Sequence, residues 1–169
     1  MISEIKFRKA TQDDRDKIWE ILQQAIERRR LDNSQQWQNG YPNPETVNLD
    51  IEKQIGYVLV ENDNVVAYSA VILNDEPAYE NIEGKWLSDG DFNVVHRLAV
   101  SDEVARKGYA TEIFRRIEDL SRQNGIFSVK VDTNFDNAAM LHLLKKLGYT
   151  YCGKVYLAGG ERKAFEKLL

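Results

Sequence analysis

The sequence has a single cysteine, Cys152, so no disulfide can form within the chain, and a reducing cytoplasm is the expected setting. Two histidines, His96 and His142, and that one thiol do not supply the four ligands of a structural zinc site, and no metal is expected. No apolar run approaches the roughly 20 residues that cross a bilayer. The opening MISEIKFRKATQDD lacks the apolar core of a secretory signal. No membrane partner is therefore expected. The net charge is −4, which argues against a general nucleic-acid-binding face while leaving room for a local basic pocket. Neither G-x-G-x-x-G nor G-x-x-x-x-G-K-[ST] occurs, so the dinucleotide and P-loop fingerprints are missing. No repeat, low-complexity tract or linker divides the 169 residues. The expectation is one domain over 1–169, long enough to bury a core without cross-links.

What is present reads as alternating strands and helices. Ile5 and Phe7 mark a short strand. Thr11-Gln-Asp-Asp14 resembles a capping box, with Thr11 as the acceptor. Ile18, Ile21, Leu22 and Ile26 recur at helical spacing, so 12–30 is read as a helix closed by Arg28-Arg-Arg30. Residues 31–43 are a loop with turn signals at Asn39-Gly40 and Tyr41-Pro42-Asn43, and 44–54 a short helix. Strands 56–60 and 65–73 flank Asn62-Asp63-Asn64, a hairpin signal. The polar segment 74–91 reads as a long loop. Then come strand 92–100, helix 108–124 ending at Asn124-Gly125, strand 126–131, helix 137–147, and two last strands, 149–157 and 162–168. Strand, helix and strand at this spacing predict a parallel pair joined by a right-handed crossover.

The stretch 104–111, Val-Ala-Arg-Lys-Gly-Tyr-Ala-Thr, lies at the joint between a strand and a helix. A helix N-terminus presents unpaired N–H groups and the positive end of the dipole, which favours an anion. Gly108 lets a ligand approach the backbone, and Arg106 and Lys107 add positive charge. A phosphate cradle fits this chemistry. A solvated turn fits the same residues.

The surroundings narrow the choice. Leu98-Ala-Val100, seven residues, then Gly108-Tyr-Ala110 resembles the core motif of the GNAT superfamily of N-acyltransferases. Asp132-Thr-Asn-Phe-Asp-Asn137, with a helix ending Lys145-Lys-Leu-Gly-Tyr149, resembles the family's later segment. The order of elements agrees over nearly the whole chain. The resemblance implies an α/β (α+β) fold with a mixed, mostly antiparallel seven-stranded sheet flanked by about four helices. It implies a splayed parallel strand pair in the core that admits the pantetheine arm of acetyl-CoA. Leu98, Ala99 and Val100 are then expected along pantetheine. Arg106, Lys107, Gly108, Tyr109, Ala110 and Thr111 would line the diphosphate, and Asn137 would reach the cofactor from the next helix. Leu98 and Val100 would be core residues in any fold, and Asn137 is equally an ordinary N-cap.

Two positions depart from the family pattern. Ala105 stands where Gln or Arg is usual, and Leu144 stands where many members have a tyrosine that protonates the departing thiolate. A thiol titrates near about 8.5, so the thiolate leaves without much help. The incoming amine has the harder problem. At a pKa of about 10.4 its deprotonation at neutral pH costs roughly 4–5 kcal/mol, and a base is worth having. His96 is the candidate, since strand alternation would put it on the face of Leu98 and Val100. A half-buried histidine bonded to a neighbour is the structural alternative. Trp37 and Tyr41 are expected on the acceptor side, or else over the core. Cys152 as an acyl carrier has no sequence support. The expected activity is acetyl transfer from acetyl-CoA to a primary amine, small molecule or peptide, by direct attack in a ternary complex. The alternatives are a CoA-binding module without catalysis and a transferase with another acyl donor. The final strands could pair across a homodimer.

Overall fold

Charged residues alternate with Ile5 and Phe7, and Ile5–Lys9 forms β1, an edge strand. The computed structural model describes residues 4–104, 107–157 and 160–169. After a 3-10 turn at Gln12–Asp14 comes α1, Arg15–Leu31. The expected capping box forms, and Asp14 closes it by accepting from the Thr11 amide at 2.8 Å and the Thr11 hydroxyl at 3.3 Å. The same carboxylate also meets Arg8 at 2.7 and 3.0 Å.

Helix α2, Pro44–Glu52, starts where Asn43 accepts from the Thr46 amide at 3.0 Å, with Pro44 in the first turn where its missing N–H costs nothing. Strands β2, Gly56–Glu61, and β3, Asn64–Leu73, form the expected hairpin. Asn62 and Asp63 both have positive φ, at 49° and 68°, which matches the twist a two-residue hairpin needs. The segment 74–91 is not a plain loop. It contains a 3-10 turn at Pro77–Asn81 and β4, Glu83–Gly84, which pairs with β7, Thr150–Leu157. Among the described residues the sheet therefore has eight strands rather than seven. A two-residue strand shows no alternation to read. It depends on Gly84 and Gly153, where an added β-carbon would fall 2.1 and 2.2 Å from the facing carbonyl oxygens.

The remaining elements are β5, Asn93–Val100; α3, Tyr109–Gln123; β6, Ser128–Thr133; α4, Ala138–Lys146; and β8, Gly160–Leu168. The sheet order is β1-β2-β3-β5-β6-β8-β7-β4. β5 and β6 are parallel, with Asn93, Val94 and Val95 opposite Val129, Lys130 and Val131. The β1–β2, β2–β3, β6–β8, β7–β8 and β4–β7 pairs are antiparallel. The expected mixed, mostly antiparallel sheet, with four α-helices among the described residues, is the fold observed.

The chain forms two compact units. One comprises residues up to Val71 and Arg97–Arg116; the other comprises Ile72–His96 and Ile117–Leu169. In the first, Ile18, Ile21, Leu22 and Ala25 of α1 and Val47 and Ile51 of α2 pack with Val58, Val60, Val65 and Tyr68. A buried aliphatic side chain of this kind contributes about 1.5–3 kcal/mol. In the second, Tyr79, Val94, Val155 and Ala164 are buried under Ile72, Ile82, Trp86, Phe92 and Leu157. Among the described residues no helix is long and apolar enough to cross a membrane.

Candidate active site

In the first unit, β5 reverses its pleat at Arg97, whose φ is +55°. A residue with a β-carbon is disfavoured there by about 1–2 kcal/mol. Arg97 Nε and Nη2 donate to the two oxygens of Asp50 at 2.9 and 2.6 Å, a bidentate pair. Asp50 lies on α2 and is buried. The Tyr68 hydroxyl donates to its Oδ2 at 2.5 Å, and Arg97 Nη1 donates to the Tyr41 hydroxyl at 2.7 Å. Burial opposes the charge on Arg97, but the Asp50 carboxylate more than offsets it, so the guanidinium lies above its ordinary value. Burial and then the Asp50 charge likewise raise the Tyr68 hydroxyl.

This arrangement corrects one expectation. A left-handed residue interrupts the two-residue period, so the alternation from His96 to Leu98 and Val100 does not carry across Arg97. Leu98 and Val100 are half-buried and Ala99 is buried. The Val100 carbonyl accepts from Arg28 Nη2 at 3.1 Å. Arg28 also pairs with Asp102. Tyr41 is exposed, whereas Trp37 is half-buried and packs on the first core.

At the start of α3, Gly108 has φ +81°, a region that favours glycine. A β-carbon built there would meet nothing within 4 Å, so the turn presents bare backbone to open space. Lys107 beside it is exposed. The Glu112 amide donates to the Gly108 carbonyl at 3.1 Å as the helix begins. Tyr109 is buried, and Ala110 and Thr111 are half-buried. Ala105 and Arg106 lie outside the described residues. A positive helix terminus, bare backbone and an exposed ammonium together suit a diphosphate.

In the second unit, His96 Nε2 lies 2.8 Å from Glu76 Oε2. Both side chains are mostly enclosed, at 13% and 17% exposure. The Tyr79 ring lies beside the imidazole, centroid to centroid 6.3 Å. The Tyr79 hydroxyl donates to Asp132 Oδ2 at 2.6 Å. Burial pushes the Asp132 carboxyl upward, against the pull of His96, and burial raises the Tyr79 hydroxyl. Glu166, fully buried, accepts from the Leu87 amide at 2.8 Å and from the hydroxyls of Ser88 and Ser128 at 2.5 and 2.6 Å. Lys130 Nζ sits over Phe92 at 3.8 Å and Trp86 at 4.2 Å, its pKa lowered by burial. Asn137 caps α4, accepting from the Met140 amide at 3.2 Å. Cys152 is buried, and burial raises its thiol, which disfavours a thiolate nucleophile. Leu144 is fully buried, and His142 is exposed.

Nothing in their residue type marks Arg97, Asp50 or Tyr79 as site residues, and Asp132 stands in the sequence only as the start of the segment that leads to Asn137. Glu76 lies in the polar segment 74–91, where nothing in the sequence sets it apart from the other acids. Charged residues next to turns carry no mark of a bidentate partner elsewhere in the chain.

A model of the Acetyltransferase (GNAT) family matches residues 16–149. The chain belongs to the GNAT acetyltransferase family. A GNAT acetyltransferase of known structure, from Streptococcus agalactiae, is 33% identical, with 98% of this chain and 95% of that chain covered and a TM-score of 0.89. Two more distant structures share the GNAT fold. One is an agmatine N-acetyltransferase, 15% identical, with 98% and 99% of the chains covered and a TM-score of 0.69. The other is the NatC complex bound to Gag peptide and CoA, 13% identical, with 98% and 99% covered and a TM-score of 0.70. No curated protein matches. GNAT enzymes use acetyl-CoA. The bare turn at Gly108 and the cation beside it fit the diphosphate of that group.

Proposed function

We propose that the protein transfers acetyl from acetyl-CoA to a primary amine, carried by a small molecule or a peptide, by direct attack in a ternary complex within a single acetyltransferase domain. The observation that carries this reading is Gly108, left-handed and open on its β-carbon side at the start of α3. Arg106, Lys107 and the amides of Gly108, Tyr109, Ala110 and Thr111 hold the diphosphate. Leu98, Ala99 and Val100 offer backbone groups along pantetheine, and Asn137 contributes from the cap of α4. Acetyl-CoA supplies, when bound, an activated acetyl carbonyl.

This chain's own residues do the rest. Backbone N–H in the stretch Leu98–Val100 draws electron density onto the carbonyl oxygen, with that of Leu98, next to the left-handed Arg97, taken as the donor. His96 takes the proton of the attacking ammonium, directly or through water. The contact of Nε2 with Glu76 at 2.8 Å orients the ring. The carboxylate then stabilises the imidazolium. Tyr41 and Trp37 lie on the α1–α2 segment that faces the acceptor. The raised thiol of Cys152 favours direct attack over an acyl-protein route.

The test is thiol release from acetyl-CoA across a panel of primary amines. Release with one amine class is expected. CoA binding by calorimetry with no release from any amine would instead identify a CoA-binding module.

A further inference from the structure

The direction of the Leu98 N–H is set by the φ and ψ of the residue before it. That residue, Arg97, has φ +55° in the middle of a strand. Asn, Asp and Gly take this conformation readily, and arginine does not. Something must therefore hold it.

We propose that Asp50 is a clamp that keeps Arg97 left-handed and thereby aims the Leu98 amide at the thioester oxygen. Asp50 and Arg97 are positioning residues. The inference rests on the reading of Leu98 as that donor. The clamp has the parts it needs. The guanidinium fork meets both Asp50 oxygens at 2.9 and 2.6 Å, which fixes its plane as well as its position. Tyr68 donates to Asp50 at 2.5 Å from within the core, and Tyr41 takes a third guanidinium donor at 2.7 Å. Asp50 itself cannot drift, because Val47 and Ile51 on the same helix are buried in the first core. With its far end fixed in this way, the arginine side chain restricts its own Cα.

An ion pair that merely tied α2 to β5 would have the same contacts. The two roles separate once the pair is removed. A backbone-holding role makes the outcome depend on whether residue 97 tolerates positive φ; a tying role does not. The experiment therefore compares Arg97→Gly with Arg97→Ala, each combined with Asp50→Asn so that no buried charge is stranded. The R97G/D50N protein is expected to keep kcat within about threefold, because glycine needs no clamp. The R97A/D50N protein is expected to fall roughly tenfold below it, with CoA affinity by calorimetry equal in the two. Equal kcat in the two variants overturns the proposal. Should the double variants fail to fold, Arg97→Lys leaves Asp50 paired with a cation but without the fork. It should lower kcat roughly threefold or more, and an unchanged kcat overturns the clamp. If the wild-type protein releases no thiol with any amine, the acetyl-transfer reading is what fails. The clamp is then judged on the Leu98 amide resonance of isotope-labelled protein. A wild-type position in R97G/D50N and a displaced one in R97A/D50N support it; the same position in both overturns it.

Discussion

Glu76 and His96 stand 2.8 Å apart, carboxylate oxygen to Nε2, although 20 positions separate them in the chain. The pair gives a histidine at the end of the parallel strand segment a fixed ring orientation and a counter-charge. If His96 is the base, His96→Ala lowers kcat at pH 7 by about 10²–10⁴-fold with little change in CoA affinity. Glu76→Gln keeps the hydrogen bond but not the charge, and costs about tenfold in kcat. Steady-state kinetics checks both. Full activity of His96→Ala removes His96 from the mechanism.

Gly108 is read as the point where bare backbone meets the diphosphate. Gly108→Ala meets no neighbour, so its cost comes from the positive φ and from the methyl that enters the open space. CoA Kd is expected to rise roughly tenfold, and stability to fall by about 1 kcal/mol. Calorimetry and thermal melts measure the two separately. An unchanged Kd would place the diphosphate elsewhere.

Asp14 and Asp132 act on stability with opposite sign. The Arg8 hydrogen bond holds the Asp14 carboxyl below its ordinary value. Its contribution is therefore present above about pH 4 and is lost as pH falls through the folded value. Asp132 is raised, chiefly by burial, so the folded protein holds that proton more tightly. Its contribution is favourable below about pH 4 and is lost as pH rises through the folded value. At pH 7, Asp14→Asn should lower Tm by about 3 °C, the size of a lost helix cap. Asp132→Asn should raise Tm at pH 7 and give no gain near pH 4. Melts across this range decide; a Tm loss for Asp132→Asn at pH 7 contradicts the assignment.

Glu166 collects three donors at 2.5–2.8 Å in the second core and anchors Leu87 and Ser88 to β8. Glu166→Ala leaves Ser88 and Ser128 without their acceptor and a cavity in their place. The expected loss is about 3 kcal/mol or more, read by urea unfolding. A loss below about 1 kcal/mol would show that the segment is held by other means.

The centre of the fold was legible because its signals are local. Ile113, Phe114 and Ile117 recur at helical spacing between two β-branched runs, and β5 and β6 pair in parallel as that order requires. Asn62-Asp63 announced its hairpin, and Gly108 its turn. The rest depends on contacts between distant residues. A left-handed arginine has no sequence mark, because tertiary partners rather than propensity hold it there. Glu76 looked like any acid in a polar loop until the fold set it against His96. The two residues of β4 are paired only because glycines face each other across the strands.

The most direct test of the central claim follows the acetyl group itself. The protein is incubated with acetyl-CoA labelled in its acetyl carbon and with the amine that releases most thiol, and the products are read by mass spectrometry. The account predicts label on the amine nitrogen and none on the protein. Label that stays on CoA while calorimetry records CoA binding, or label that accumulates on Cys152, would contradict it.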